Sequence, residues 1–160
     1  MTVVIDTFRP EHAQAFDALN RAWLTAYELL EPADELHLTD PVGQILAPGR
    51  EIFVALEDET VIGTCAAVPH GPGAFEVAKL AVAPAARGRG IGRQLVDACL
   101  AYARERGAQL AVLVSNSRLG AALKLYEQLG FRPAPMPATM PYATADVYME
   151  LPLAPGQPAA

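Results

Sequence analysis

The densest group of residues able to do chemistry lies in the middle of the chain, at residues 87–93, whose sequence is RGRGIGR. Glycines let the backbone approach a ligand closely, and arginine side chains add fixed positive charge. An amphipathic pattern from Ile91 onward predicts that a helix begins in this loop, and the N-terminus of a helix favours a bound anion. The stretch is therefore predicted to bind a phosphate or pyrophosphate group.

Two common phosphate-binding loops do not fit this stretch. A P-loop needs Gly-Lys followed by Ser or Thr, whereas Arg93 and Gln94 follow Gly92. A dinucleotide fingerprint needs G-x-G-x-x-G at the start of a strand–helix–strand unit. Gly88, Gly90 and Gly92 instead give G-x-G-x-G, one residue short, after three predicted consecutive strands. A nucleotide-binding protein of the ATP or NAD type is therefore disfavoured.

The elements that must position this loop follow from hydrophobic periodicity and turn residues. Strands are predicted over residues 3–8, 51–56, 60–68, 74–82, 110–114 and 145–151, with a further strand beginning at 131–132. Helices are predicted from residue 11 to about residue 30, over 91–106 and over 119–129. Pro32 is predicted to end or bend the first of these helical regions. Residues 31–49 are acidic and rich in Pro and Gly, which predicts either a substrate lid or a plain connection, with a short helix at 41–46.

Length and composition predict one cytoplasmic α+β domain over residues 1–152, with a frayed tail at 153–160. No apolar run is long enough to cross a membrane, and the N-terminal residues do not resemble a signal peptide. Cys65 and Cys99 are predicted to be buried free thiols, and His12, His37 and His70 lack metal-ligand spacing. We therefore expect no metal and no membrane partner.

The net charge of −6 argues against nucleic acid as the main partner. The charge is also unevenly distributed, with a balance of −9 over residues 1–75 and +3 over residues 76–160. This asymmetry suits an anionic cofactor on the second half and a cationic acceptor near the first. A chance asymmetry on a solvated surface explains the acidic half equally well.

Three segments together resemble one family. Residues 87–92 match the pattern R/Q-x-x-G-x-G/A, residues 76–84 (EVAKLAVAP) form an apolar strand before the loop, and residues 123–131 read LKLYEQLGF. In this combination and spacing they are similar to the pyrophosphate-binding and LYEKLGF segments of the GNAT superfamily of N-acetyltransferases. The resemblance implies a mixed, mostly antiparallel central sheet with helices on both faces and splayed central strands.

The resemblance also implies that the loop holds the pyrophosphate of acetyl-CoA and that the preceding strand contacts its pantetheine and thioester. The implied cofactor-binding residues are Leu80, Ala81, Val82, Arg87, Gly88, Arg89, Gly90, Ile91, Gly92, Arg93 and Asn116. Asn116 has an equally good alternative role as N-cap of the next helix. The strand that ends at Val82 and the strand at 110–114 are expected to diverge and leave a slot for the cofactor.

Tyr126 matches the family's usual general acid. A phenol has a pKa of about 10, close enough to that of a thiol to protonate a leaving thiolate. The alternative is an aromatic residue that serves only in the core. We favour the catalytic role because Tyr126 lies within the LKLYEQLGF segment.

The general base is less well defined by the sequence. Glu76 shares a strand face with Ala78, Leu80 and Val82, so it could take a proton directly or through water. The alternatives are a Glu76 carboxylate paired only with Lys79 or solvent, a base supplied by His70, Glu28 or Glu31, or a water relay without any single base.

In the family, the acceptor site is usually shaped by the segment that here contains Asn20, Trp23, Tyr27, Glu31, Asp34 and Leu38. The resemblance implies Trp23, Tyr27 and Glu31 as substrate-binding residues, although aromatic residues at helical spacing are more often core. The leading hypothesis is an acetyl-CoA-dependent N-acetyltransferase that acts by direct attack of an amine from a small molecule or a protein. The alternative is a CoA-binding sensor or interaction module without turnover. A homodimer through the strand at 145–151 is a further expectation.

Overall fold

The computed structural model describes residues 2–46, 49–138 and 143–153, and all structural statements below concern these residues. Its strands form one sheet in the order β1-β2-β3-β4-β5-β7-β6. The strands are β1 (Val3–Thr7), β2 (Glu51–Glu57), β3 (Thr60–Pro69), β4 (Ala74–Val82), β5 (Leu110–Ser115), β6 (Arg132–Pro133) and β7 (Val147–Pro152). The helices are α1 (Ala13–Ala26), α2 (Pro32–Thr39), α3 (Pro41–Gln44), α4 (Ile91–Glu105) and α5 (Gly120–Gln128).

The sheet is mixed and mostly antiparallel, as predicted. Within it β4 and β5 pair in parallel, and the other neighbouring strands pair in antiparallel fashion. The parallel pair follows from the long connection through α4, which returns the chain to the same end of the sheet.

Helices cover both faces of the sheet because the strands alternate apolar residues between two cores. Val54 of β2 packs with Phe16 of α1 in one core, and its neighbour Ala55 packs with Leu95 of α4 in the other. The helices α1 and α2 therefore lie on one face, and α4 and α5 lie on the opposite face. Tyr126 of α5 belongs to the α4 side.

The central strands separate after a short paired region. β4 and β5 pair only at Ala74–Leu110, Phe75–Ala111 and Glu76–Val112. Beyond Glu76, β4 continues to Val82 and β5 to Ser115 without being paired to each other. This confirms the predicted divergence, and it opens a cleft that ends at the loop before α4.

Residues 31–49 contain more regular structure than the sequence analysis predicted. Pro32 begins α2 instead of ending a helical region, because proline is tolerated at the first helical position. The Asp34 carboxylate accepts from the Glu31 amide at 3.0 Å, and the Asp34 amide donates to the Glu31 carbonyl at 2.9 Å, which stabilises this N-terminus. The pattern E-P-A-D was the signal for α2 that the prediction did not use.

The closing strand also differs from expectation. β7 lies between β5 and β6, so along Met149 and Glu150 both of its edges are already paired. Those residues cannot form the inter-subunit pairing suggested for a homodimer. Leu153, predicted as the first residue of the frayed tail, is 2% exposed and packs in the core, while residues 154–160 lie outside the described residues. No helix among the described residues is long and apolar enough to cross a membrane.

Candidate active site

The glycine loop presents open backbone at the start of α4. Gly90 is the N-cap of α4, adopts a φ of 76° and provides no side-chain cap for the helix. The first intrahelical bond runs from the Gln94 amide to the Gly90 carbonyl, so the amides of the preceding three residues are available to an anion. A Cβ placed on Gly88 or Gly90 would meet nothing within 4 Å, which leaves space for a ligand above the loop.

The remaining residues of the loop have different surroundings. Ile91 is 2% exposed, so its side chain belongs to the core and only its backbone can face a ligand. A Cβ on Gly92 would lie 3.4 Å from Leu125 Cδ2, which shows that α4 and α5 approach closely at this point. Arg93 follows as the third residue of α4.

The two loop arginines are held by protein partners. The Arg87 Nε donates to the Val82 carbonyl at 3.2 Å, and its guanidinium lies 4.8 Å from the centre of the Trp23 ring. Arg89 forms an ion pair with Glu57 of β2, and this hydrogen bond lowers the pKa of the Glu57 carboxyl. Arg87 therefore joins the loop to α1 across the end of β4.

A cavity of about 130 Å³ occupies the cleft between β4 and β5. Residues of α1, α2, β4, β5, α5 and the segment before β7 line it. The described lining residues that carry polar side chains are Asn20, Trp23, Asp34, Glu76, Lys79, Ser115, Asn116, Tyr126 and Thr144. The cleft thus brings the two predicted catalytic residues, Tyr126 and Glu76, to one cavity.

Tyr126 is 7% exposed and lines the cavity from α5. Its ring packs edge-on against Phe131 with the ring centres 5.9 Å apart. Burial raises the pKa of the Tyr126 phenol above its ordinary value, with further contributions from Cys65 and Cys99 nearby. The phenol is therefore protonated at neutral pH and is able to donate a proton.

Glu76 lies at the point where the central strands begin to separate. Its Oε1 atom is 3.7 Å from His70 Nδ1, and a quarter of its side chain (25%) remains exposed. Burial raises the pKa of the Glu76 carboxyl, while His70 and Lys79 lower it. A carboxylate with a raised pKa is a stronger base than one in water. Lys79, named above as an alternative partner of Glu76, forms its ion pair with Asp34.

The three predicted acceptor-site residues separate in the structure. Trp23 lines the cavity, whereas Tyr27 and Glu31 are absent from its described lining. Tyr27 packs against Trp23 with ring centres 5.3 Å apart. The Glu31 carboxylate accepts hydrogen bonds from the Ala143 amide and from the Thr144 amide, both at 2.9 Å, and from the Thr144 hydroxyl.

The hydrogen bonds to Glu31 define its structural role. Burial by itself raises the pKa of the Glu31 carboxyl. The hydrogen bonds from Thr144 and Ala143 outweigh burial and lower this pKa below its usual value. Glu31 is therefore ionised at neutral pH and ties the start of α2 to the segment before β7. The prediction that Glu31 contacts the acceptor finds no support in this arrangement, because its carboxylate oxygens are engaged within the protein.

Asn116 does not cap α5. That helix begins at Gly120 after Leu119, and no side chain caps it. Asn116 Oδ1 instead accepts from the Arg118 amide at 2.8 Å, and its Nδ2 donates to the Thr144 carbonyl at 2.6 Å. Asn116 therefore joins the end of β5 to the segment before β7, at the rim of the cavity.

Asn20 and Asp34 lie in the segment expected to shape the acceptor site, and both line the cavity. Lys79 and Thr144 line it as well, although neither was predicted as a site residue. These two residues come from β4 and from the segment before β7, so only tertiary contact reveals them. The described residues contain no group of three or more His, Cys, Asp or Glu side chains able to hold a metal ion.

Fold and site together define an acyltransferase-like domain, with a split sheet, open backbone at the start of α4 and a cleft lined by Tyr126 and Glu76. The family model described as "Acetyltransferase (GNAT) domain" matches residues 48–133, more than half of the chain. The chain therefore belongs to the GNAT acetyltransferase family.

Relatives and solved structures agree with this assignment. A mycothiol acetyltransferase of Rhodococcus erythropolis is 37% identical over 97 residues, which cover 58% of this chain and 31% of that protein. N-acetyltransferase family 8 member 2 of Rattus norvegicus is 28% identical over 115 residues, which cover 69% and 51% of the two chains. The chain thus spans about a third to a half of these relatives.

Two solved structures share the fold over nearly the whole chain. A GNAT family acetyltransferase of Staphylococcus aureus Mu50 aligns with a TM-score of 0.85 at 16% identity and covers 96% of this chain and 100% of that one. A Salmonella typhimurium protein solved with its cofactor acetyl-CoA aligns with a TM-score of 0.74 at 20% identity and covers 96% and 95%.

Proposed function

We propose that this protein is an acetyl-CoA-dependent N-acetyltransferase that transfers the acetyl group to an amine of a small molecule or protein by direct attack. The observation that carries the proposal is the cleft between β4 and β5, which has a free helix N-terminus at one end and two acid–base residues inside it. Membership of the GNAT family and the names of the relatives support the same chemistry.

The residues of the cofactor site fit a phosphate-bearing thioester. The amides that begin α4 and the open space above Gly88 and Gly90 suit the pyrophosphate. The unpaired end of β4 offers backbone groups of Leu80, Ala81 and Val82 to the pantetheine arm. When bound, acetyl-CoA supplies an activated acetyl group as a thioester.

Acid and base would act from opposite sides of the cleft. Glu76 accepts a proton from the attacking amine, so that the nitrogen can form a bond to the acetyl carbon. Tyr126 donates its phenolic proton to the sulfur as the carbon–sulfur bond breaks. The raised pKa of Glu76 supports its role because it makes the carboxylate more basic. The Tyr126 phenol is protonated at neutral pH, and its place in the cavity, not its raised pKa, supports its role as acid.

The first test is binding. Acetyl-CoA should raise the melting temperature of the protein, while ATP and NAD should leave it unchanged. A shift with ATP alone would contradict the assignment of the cofactor. A panel of primary amines, followed by release of free thiol from acetyl-CoA, then tests turnover. Binding without thiol release for any amine would favour the alternative of a CoA-binding module.

The second test concerns Tyr126. The Tyr126→Phe variant removes only the phenolic hydroxyl and should lower kcat by about 10²–10⁴-fold while the affinity for acetyl-CoA is kept. Tyr102→Phe is a matched control, because Tyr102 packs on α4 against Phe53 and Phe75 and is absent from the described lining of the cavity. Unchanged turnover in Tyr126→Phe would remove Tyr126 as the acid.

A further inference from the structure

One residue in the middle of β4 has a backbone conformation that strands do not normally contain. Lys79 has a φ of 55°, in the left-handed region, and its neighbours Ala78 and Ala81 pair with Ala66 and Thr64 of β3. Lys79 and Leu80 together therefore stand opposite one residue of β3, which defines a β-bulge. A non-glycine residue held in this region costs about 1–3 kcal/mol, so neighbouring contacts must stabilise it.

Those contacts come first from β3 and α1. The Thr64 hydroxyl donates to the Lys79 carbonyl at 3.0 Å. The Asn20 side-chain amide donates to the same Thr64 oxygen at 3.0 Å, and also to the Phe16 carbonyl at 2.9 Å. A hydroxyl has a single hydrogen to donate, so the bond from Asn20 favours the orientation in which Thr64 donates to Lys79.

A second set of contacts comes from α2. Lys79 Nζ lies 2.5 Å from Asp34 Oδ1, and the two side chains are only 9% and 4% exposed. The other Asp34 oxygen accepts from the Glu31 amide at 3.0 Å. The side chain of Lys79 is therefore held by α2, while its carbonyl is held by β3.

The concentration of buried polarity at this residue is unusual. The buried polar or charged residues among those described are His12, Asn20, Asp34 and Thr64. Three of these four join the network around Lys79. Burying polar groups costs free energy unless they are fully hydrogen-bonded. The three buried polar residues of the network around Lys79 therefore indicate a functional role for this position in addition to packing.

The peptide that follows Lys79 shows what the network positions. In a trans peptide the carbonyl and the next N–H point in opposite directions. Because the Lys79 carbonyl points to Thr64 of β3, the Leu80 N–H is directed away from β3 and toward the side where β5 has separated. Lys79, Leu80 and Tyr126 all line the cavity on this side.

We propose that Asn20, Thr64 and Asp34 are positioning residues that fix the Lys79–Leu80 peptide so that the Leu80 N–H donates to the carbonyl oxygen of the bound thioester. This inference rests on the proposed acetyltransferase function. A donor aimed at the oxygen where charge develops is effective only if it is already oriented. The network supplies that orientation through contacts from α1, β3 and α2.

Thr64→Val tests the proposal with little change of shape, because it replaces the hydroxyl by a methyl group. We expect kcat to fall about 10–100-fold, as small misplacements of reacting groups can do, with a KM for acetyl-CoA within about threefold of the parent. Thr64→Ser keeps the hydroxyl and should restore most of the turnover. Ile52→Val is the matched control, because it trims a fully buried residue of β2 on the same face outside the network.

A spectroscopic readout does not depend on turnover. The infrared carbonyl stretch of bound acetyl-CoA labelled with ¹³C at the thioester carbon should lie below its value in solution, because an N–H donor weakens the carbonyl bond. In Thr64→Val the band should move back toward the solution value, and in Thr64→Ser and Ile52→Val it should stay at the position of the parent protein.

The outcomes separate the two proposals. The positioning role would be overturned if bound acetyl-CoA showed the lowered carbonyl band in the parent protein and the same band in Thr64→Val. This holds whatever the turnover of the variant. Equal losses of kcat in Thr64→Val and Ile52→Val would also overturn it, since loss of stability would then explain both. Failure of the parent protein to bind acetyl-CoA at all would refute the proposed function itself.

Discussion

The buried ion pair between Lys79 and Asp34 allows a quantitative prediction of stability. The Lys79→Met variant keeps an unbranched side chain that is one atom shorter and removes the ammonium group. Asp34, at 4% side-chain exposure, then retains a buried carboxylate without its cation. Removing one partner of a buried pair costs about 3–5 kcal/mol, because the remaining charge is uncompensated.

The size of the chain sets the expected change in melting temperature. For a protein of 160 residues, each kcal/mol shifts the midpoint by about 2–4 °C. Lys79→Met should therefore lower the melting temperature by about 6–20 °C. Urea unfolding at pH 7 should show the same loss as a lower midpoint with an unchanged m-value.

A double variant distinguishes loss of the pair from loss of packing. Lys79→Met/Asp34→Asn removes both charges, and the asparagine side-chain oxygen can still accept from the Glu31 amide. It should therefore be more stable than Lys79→Met alone. Lys124→Met, at an exposed position of α5, is the matched control and should change stability by no more than about 0.5 kcal/mol.

Two results would refute this reasoning. A loss below about 1 kcal/mol in Lys79→Met would show that the pair contributes as little as an exposed salt bridge. A double variant that is less stable than Lys79→Met would show that the stabilisation arises from the side chains' shapes or hydrogen bonds instead of from their paired charges.

Three further predictions concern the cleft. Glu76→Gln should lower kcat/KM by about 10²–10⁴-fold. In a pH–rate profile the rate of the parent protein should fall as pH drops through the raised pKa of Glu76, and the variant should not show this fall. Acetyl-CoA should change the fluorescence of Trp23, the single tryptophan, because Arg87 leaves the Trp23 ring for the pyrophosphate and the ligand enters the cavity that Trp23 lines. Arg87→Ala should reduce that change and weaken binding about tenfold in a titration. Gly90→Ala should destabilise the protein by about 1–2 kcal/mol through its φ of 76° in thermal unfolding, since its Cβ would meet no neighbouring atom.

Much of the fold follows from local patterns. The prediction of β4 matches the structure at both ends, and that of α4 differs by one residue. Both have strong periodicity and clear turn residues at their boundaries. The helix α2 was missed because eight residues with two acidic groups give little periodicity, and Pro32 was interpreted as a stop instead of a start.

The sites of chemistry were predictable to different degrees. The loop predicted to bind an anion is continuous in sequence, so its glycines and arginines are neighbours in the chain and are recognised directly. Glu31 was predicted at the acceptor site because of its position in the chain, yet its carboxylate binds Thr144, more than a hundred residues away. A contact of that range leaves no local pattern.

The sequence by itself determined the family, the order of the strands and of the helices α1, α4 and α5, and the loop that begins α4, because these depend on neighbouring residues and on short-range periodicity. Only the tertiary structure decided that Lys79 adopts a bulge and that α1, β3 and α2 meet at this residue. The physical reason is that a buried polar group must be hydrogen-bonded, and its partners here are supplied by segments far apart in the chain.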